Sequence, residues 1–230
     1  MVKKICMICI FLVLPGFSSA GEESVEKLTP EQLAVKLQEA YSRTVTFQAE
    51  FNQITTIKLS RRKRSGEGNL LISKPGLMRW DYLTPDKQVL ICDGKLVKMY
   101  FAKAEQMMII SAHDYLQSDV TYDFFAGKGD IVRDFAVGPP GEDFCCGEPP
   151  DLKLVPKVQH PQVDHIYLWL TDDFLIRKMH VNDHYGSQTE LVFTGIKLNE
   201  HIDASRFLFD PPEGTEIIEQ LAPEDQGNGN

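Results

Sequence analysis

The chain predicts an α+β protein that is mainly antiparallel β: one strongly curled sheet, a barrel or an open half-barrel, of about ten to eleven strands, with helices against its concave apolar face. Three observations carry this prediction. Strand-patterned segments follow one another from Thr46 onward, most of them separated by tight turn signals, as antiparallel neighbours require. Helical spacing occurs in only two places, before the first strand and near the middle of the chain. Several strands carry apolar residues on both faces, so both sides of the sheet are covered somewhere.

The elements justify themselves in order. Lys3 and Lys4 precede the apolar run Ile5 to Phe17, and Ser18 and Ala20 make a small-residue cleavage site, so residues 1–20 are expected to be a cleaved export signal. The run is too short to span a bilayer, which takes about 20 residues. Residues 21–220 then form one domain, with a polar, disordered tail over 221–230. Thr29-Pro30-Glu31-Gln32 is a capping box with Pro at the first helical position. Leu33, Leu37, Ala40 and Tyr41 follow at helical spacing, which predicts an amphipathic helix over 30–43.

At Thr46 the period changes to two. Phe47, Ala49, Phe51, Ile57 and Leu59 share one face of a long strand, against Gln48, Glu50, Asn52, Thr56 and Lys58. Arg61-Arg62-Lys63-Arg64 then reads as a solvated hairpin tip rather than a docking patch, because like charges repel and seek water. Strands follow over 68–73, 77–83, 88–92, 96–101 and 106–110, with turns at Lys74-Pro75-Gly76, Thr84-Pro85-Asp86 and Asp93-Gly94. Leu116, Val120 and Phe124, four apart, predict one or two short helices over 112–126. A Pro/Gly-rich loop occupies the segment after Phe135, and strands resume over 151–155, 163–171, 174–182 and 188–198.

The formal charge of −9 becomes −11 once Lys3 and Lys4 leave, with 22 basic residues against 33 acidic. That balance disfavours nucleic acid and anionic membrane surfaces as main partners. Cys92, Cys145 and Cys146 would remain after cleavage, and whether Cys92 bonds one of the adjacent pair is open. His180, Asp183 and His184, or Cys145-Cys146 with His160, could be read as metal ligands. Asn182-Asp183-His184-Tyr185-Gly186 is better explained as a turn, so neither metal nor cofactor is expected. No nucleophile elbow, phosphate loop or zinc-protease helix is present, which disfavours an enzyme.

An ordered set of short motifs resembles the outer-membrane lipoprotein carrier family, LolA. It includes Phe47, Ala49, Phe51 and Gln53; the block Gly68 through Tyr82, with Lys74-Pro75-Gly76 and Met78-Arg79-Trp80; Pro85, Gln88, Asp93 and Gly94; and Tyr122 through Gly127. It continues with Leu154 and Pro156, with Asp183, Gly186 and Thr189, and closes on Phe207, Phe209, Pro212 and Gly214. The resemblance spans roughly residues 30–218. It implies a half-barrel with a helical lid over an apolar cavity, in a periplasmic, monomeric chaperone for acylated lipoproteins. Cargo would come from an inner-membrane ABC lipoprotein-releasing complex and pass to an outer-membrane lipoprotein receptor.

The cavity and lid residues that this implies are Phe47, Phe51, Leu70, Ile72, Lys74, Met78, Trp80, Tyr82, Leu116, Val120 and Phe124. In the best-studied branch an arginine at the position of Lys74 holds the lid closed, and an aromatic at the position of Met78 contributes to cargo transfer. Lysine has fewer donors and no planar fork, whereas methionine is an adaptable apolar lining. The alternatives on the same fold are a periplasmic lipid or glycolipid carrier and an envelope-stress sensor domain.

Overall fold

The computed structural model describes residues 28–116, 129–141, 144 and 147–220. Helix α1 (Pro30–Ser42) leads into β1 (Thr46–Ile57), β2 (Arg62–Ser73), β3 (Leu77–Thr84), β4 (Gln88–Asp93), β5 (Leu96–Phe101) and β6 (Gln106–Ser111). Two short helices follow, α2 (Ala112–Leu116) and α3 (Ile131–Asp134). Then come β7 (Phe135–Gly138), β8 (Leu152–Pro156), β9 (His165–Leu170), β10 (Ile176–Asn182), β11 (Gln188–Leu198), a 3-10 turn at Ala204–Phe207, and β12 (Glu216–Gln220).

All twelve strands belong to one sheet, ordered β12-β6-β5-β4-β3-β2-β1-β11-β10-β9-β8-β7, and it does not close. The chain meanders from the centre to one edge through β1–β6. It then resumes at the opposite edge and works back through β7–β11 until β11 lies beside β1. The α2–α3 segment therefore links the two edges. The open, antiparallel half-barrel expected from the sequence is the observed architecture.

Three details depart from that expectation. Strands β7 and β12 raise the strand number above the expected ten to eleven: β7 is four residues long and β12 is mostly exposed, so neither carries a clear two-residue period. β12 runs parallel to β6, the single parallel pairing among the described strands. It gets there because the chain after β11 crosses the convex face: Arg79 Nη1 donates to the carbonyls of Arg206 (2.7 Å) and Leu208 (3.2 Å). Lastly, β2 starts at Arg62 rather than Gly68, so Arg62, Lys63 and Arg64 are strand residues.

Gly68 explains why that extension leaves β3 while it stays paired with β1. It sits at a bulge between β2 and β3, where an added Cβ would lie 1.8 Å from the Asp81 carbonyl oxygen. Only glycine allows the two backbones to approach there.

The Thr29 cap starts α1 as read from the sequence: Gln32 N–H donates to its hydroxyl, and its own N–H donates to Gln32 Oε1. Ala34, Leu37 and Tyr41 form the buried stripe of the helix and join the concave core with Phe47, Leu70, Ile72 and Met78. The expected helix over 112–126 is observed from Ala112 to Leu116; the remainder, with Val120 and Phe124, lies outside the described residues.

Candidate functional site

The concave face changes character along its length. On β1 the inward positions read Phe47, Ala49, Phe51, Gln53, Thr55 and Ile57. The first three are buried and the last three only partly so. On β3 the same face carries Met78 and Trp80, both buried, then half-buried Tyr82. On β11 it runs from Phe193 and Leu191, both buried, to half-buried Thr189.

At the α1 end the space is filled. The Tyr41 and Phe47 rings stack at 6.2 Å, and Phe193 meets Phe47 edge-on at 6.2 Å. Phe51 sits edge-on to both Trp80 (4.8 Å) and Tyr82 (4.9 Å), offset geometries that aromatic quadrupoles favour. Trp80 Nε1–H donates to Met78 Sδ at 3.1 Å, which satisfies a buried polar group inside an apolar cluster. Of the residues expected to line a cavity, Phe47, Phe51, Leu70, Ile72 and Met78 are thus core residues in this state. Nothing is described of the Leu116 side chain, although its backbone ends α2.

At the other end an open cavity of about 630 Å³ remains, inside the ~300–1,000 Å³ range of ligand pockets. Trp80, Tyr82, Leu90 and Leu191 form its apolar floor, and Gln53, Thr55 and Thr189 supply polar atoms. Those polar groups largely satisfy each other. Tyr82 Oη donates to Gln53 Oε1 (2.8 Å), and the Thr55 and Thr189 hydroxyls lie 3.1 Å apart. A long apolar ligand can therefore enter without stranding unpaired donors.

One ordered contact fastens α1 over the filled end. Lys74 Nζ donates to the carbonyl of Tyr41 at 2.5 Å, at the end of a helix whose last turn holds no basic residue of its own. A cation there meets the negative end of the helix dipole, on a carbonyl that also accepts from the Thr44 N–H at 3.1 Å. Partial burial lowers the Lys74 pKa from the ordinary lysine value. Tyr41 is anchored on its other side as well: its hydroxyl accepts from the Ile176 N–H at 3.2 Å. Ile176 lies beside a β9–β10 bulge and beyond the β10–β11 pairing, so its amide is available. Burial pushes the Tyr41 hydroxyl pKa well above its usual range. Finally, Gln38 Oε1 accepts from the Ile131 N–H (3.0 Å), tying α1 to α3.

The residues that could be read as metal ligands are otherwise engaged. Asp183 Oδ1 accepts from the N–H groups of Tyr185 (2.8 Å) and Ser187 (2.7 Å), as the turn reading requires. His180 Nε2 bonds Glu190 Oε2 (2.6 Å), while its Nδ1 accepts from Gln188 Nε2 (3.1 Å). His184 contacts the His160 carbonyl and Asp164. Cys145 and Cys146 lie outside the described residues, and Cys92 is fully buried in the concave core.

The residues thus build an open antiparallel half-barrel with a helix pinned across its concave face and a cavity beyond it. Comparison with known proteins gives the particular family. The model of the outer membrane lipoprotein carrier protein LolA matches residues 42–210, and the chain belongs to that family. An outer-membrane lipoprotein carrier protein of Nitrosomonas europaea is 31% identical over 177 residues, 77% of this chain and 84% of that one. Another from Pseudomonas entomophila is 29% identical over 95% of this chain and its own full length. Among solved structures, an uncharacterized conserved protein from Thermus thermophilus shares the fold, with a TM-score of 0.52 at 13% identity, over 83% of this chain and 98% of that one.

Sequence reasoning singled out the filled end and missed most of the open one. Thr55 and Thr189 were not marked as site residues because polar side chains on an apolar face read as breaks in a pattern. Gln53 carried a signal, since it closes the Phe47-Ala49-Phe51 motif on the same strand face. Tyr41 was visible only as one more apolar position of the helix.

Proposed function

We propose that the protein shields the acyl chains of lipoproteins in its concave cavity and carries them across the periplasm from the inner to the outer membrane. Membership of the carrier family supports the lipoprotein cargo. The observation that carries the rest is the cavity of about 630 Å³ continuing from the apolar core, next to a helix pinned by a few polar contacts, among them that of Lys74. An acyl chain in water costs about 0.8 kcal/mol per exposed CH₂, so a soluble carrier must enclose most of its length.

Grip must also be reversible. The Lys74–Tyr41 contact is the device proposed for it: one charge-assisted bond holds the α1 end shut and yields when cargo presses Phe47 and Phe51 apart. Trp80 and Tyr82, which border both the filled and the open region, are where a chain advancing from the cavity would first enter the core. An inner-membrane ABC releasing complex would load the cavity and an outer-membrane receptor would empty it.

Native mass spectrometry of protein recovered from periplasm, with and without a co-expressed lipoprotein, tests this reading. Acylated cargo bound one to one is the expected result, together with release of lipoprotein from spheroplasts by the added protein. Failure of both would exclude the carrier role.

A further inference from the structure

The β2 arm of the β1–β2 hairpin runs past its neighbour β3. Pairing of β1 with β11 stops at Thr56 and Gln188, and pairing of β2 with β3 stops at Glu67 and Thr84. The hairpin itself continues to Ile57 and Arg62. This two-stranded ribbon is therefore unpaired on its β3 side for Arg62–Gly66, while on the other side β11 and the β10–β11 turn keep pace with it, the Lys58 N–H donating to Ser187 Oγ at 3.4 Å. It lies at the end of the sheet where the cavity lies, since Ile57 is one of the cavity's lining residues.

The ribbon carries Lys58, Arg61, Arg62, Lys63 and Arg64, all exposed, with no carboxylate between Glu50 and Glu67. None of the five forms an ion pair among the described residues. Of the carboxylates at this end of the sheet, Asp183 is engaged by its turn amides, Asp164 by His165 and Asp86 by Lys103, which leaves Glu67 at the base of the ribbon as the one nearest in sequence. Between the cations, at the apex, stands Leu59, 94% exposed.

Leu59 is not alone. The next most exposed large apolar residues among the described ones are Val158 (82%) and Tyr185 (81%). They occupy the loop after β8 and the β10–β11 turn, both at this same end of the sheet. A single exposed leucine needs no explanation. Three apolar tips on one rim, one of them ringed by five cations, have the composition of an interfacial anchor.

We infer that this rim docks the protein on an anionic bilayer surface, with Leu59 entering the headgroup layer and the ribbon cations meeting lipid phosphates. The net charge, −9 for the full chain and −11 after the expected cleavage, opposes this only weakly, because the surface potential decays within a Debye length of about 8–10 Å. The tip is held in that layer while the acidic body stays outside it. Apolar tips spread over three separate loops suit a deformable lipid surface better than one fixed pocket on a protein. Docked this way, the cavity opens toward the membrane, and the residual repulsion of the body keeps attachment short. The inference goes beyond the carrier reading, and its vesicle test needs no cargo.

Flotation of the purified protein with phosphatidylcholine vesicles, with or without phosphatidylglycerol, provides the test. Binding should appear with the anionic vesicles, fall as salt is raised, and weaken by about tenfold or more on pure phosphatidylcholine. Leu59→Asp should reduce binding by about tenfold, and serine at positions 61–64 together by about two orders of magnitude. All five positions are exposed, so circular dichroism melts should match wild type, and cargo binding by native mass spectrometry should persist. Absence of binding, equal binding to both vesicle types, or binding indifferent to these variants would overturn the inference. So would variants that bind vesicles normally yet lose association with an acidic envelope protein.

Discussion

The two ends of the concave face are made by the same three strands and behave differently. Near α1, β1, β3 and β11 present Phe47, Phe51, Met78, Trp80 and Phe193, and α1 fills what space remains with Leu37 and Tyr41. Toward the free tips they present Gln53, Thr55, Tyr82 and Thr189, no helix side chain of α1 reaches in, and a cavity persists. Apolar side chains that can reach a covering helix close into a core. Polar ones that pair with each other hold a wall open instead. Hollow and solid are therefore decided within single strands, by which residues follow Phe51 and precede Leu191.

The largest break in that contrast should come from Phe51→Ala. Its ring packs against Trp80 and Tyr82 in the buried cluster, so the substitution should cost about 3–5 kcal/mol by urea unfolding. Thr189→Ala, on the same face but in the cavity wall, should cost about 0.5 kcal/mol. Equal costs would mean the two ends are not distinct.

Next come the pins on α1. Tyr41→Phe removes the acceptor of the buried Ile176 amide and should cost about 1–3 kcal/mol. Lys74→Ala should cost less, about 1 kcal/mol, because its amine is partly solvated. It should nonetheless speed amide exchange selectively in α1, leaving β4 and β5 unchanged.

The smallest effect lies on the convex face. Burial holds the His180 pKa below the usual histidine value, and its Nδ1 accepts from Gln188, which requires the neutral ring. The folded state thus binds fewer protons than the unfolded one just below pH 6.5. Stability should be full above that pH and decline as pH falls toward the lowered value. Thermal melts across that window should show a shallower slope in His180→Gln.

Much of this was legible in the sequence. The capping box at Thr29, the two-residue period of β1 and the turns at Asp93-Gly94 and Asp183–Gly186 marked the helix, most strands and the hairpins between chain neighbours, because each is a local signal; the β1–β11 pairing that joins the two halves carries no such signal. β7 and β12 were not legible: they are short edge strands made by where the chain is led, not by their own pattern. Lys74 was legible as a position of interest through its motif, but its partner Tyr41 lies 33 residues away, on a helix whose packing only the fold determines. The solvated reading of Arg61–Arg64 holds locally, since all four are exposed. That the tip is free on its β3 side depends on the Gly68 bulge.

The central claim is that an acyl chain occupies the open end and reaches Trp80. The chain has two tryptophans, Trp80 at the cavity and Trp169 fully buried on the convex side. Tryptophan fluorescence with a lipopeptide brominated along its acyl chain separates them, using Trp80→Phe and Trp169→Phe. Saturable quenching should survive in Trp169→Phe and disappear in Trp80→Phe. Lipopeptide that binds without quenching Trp80 would contradict it.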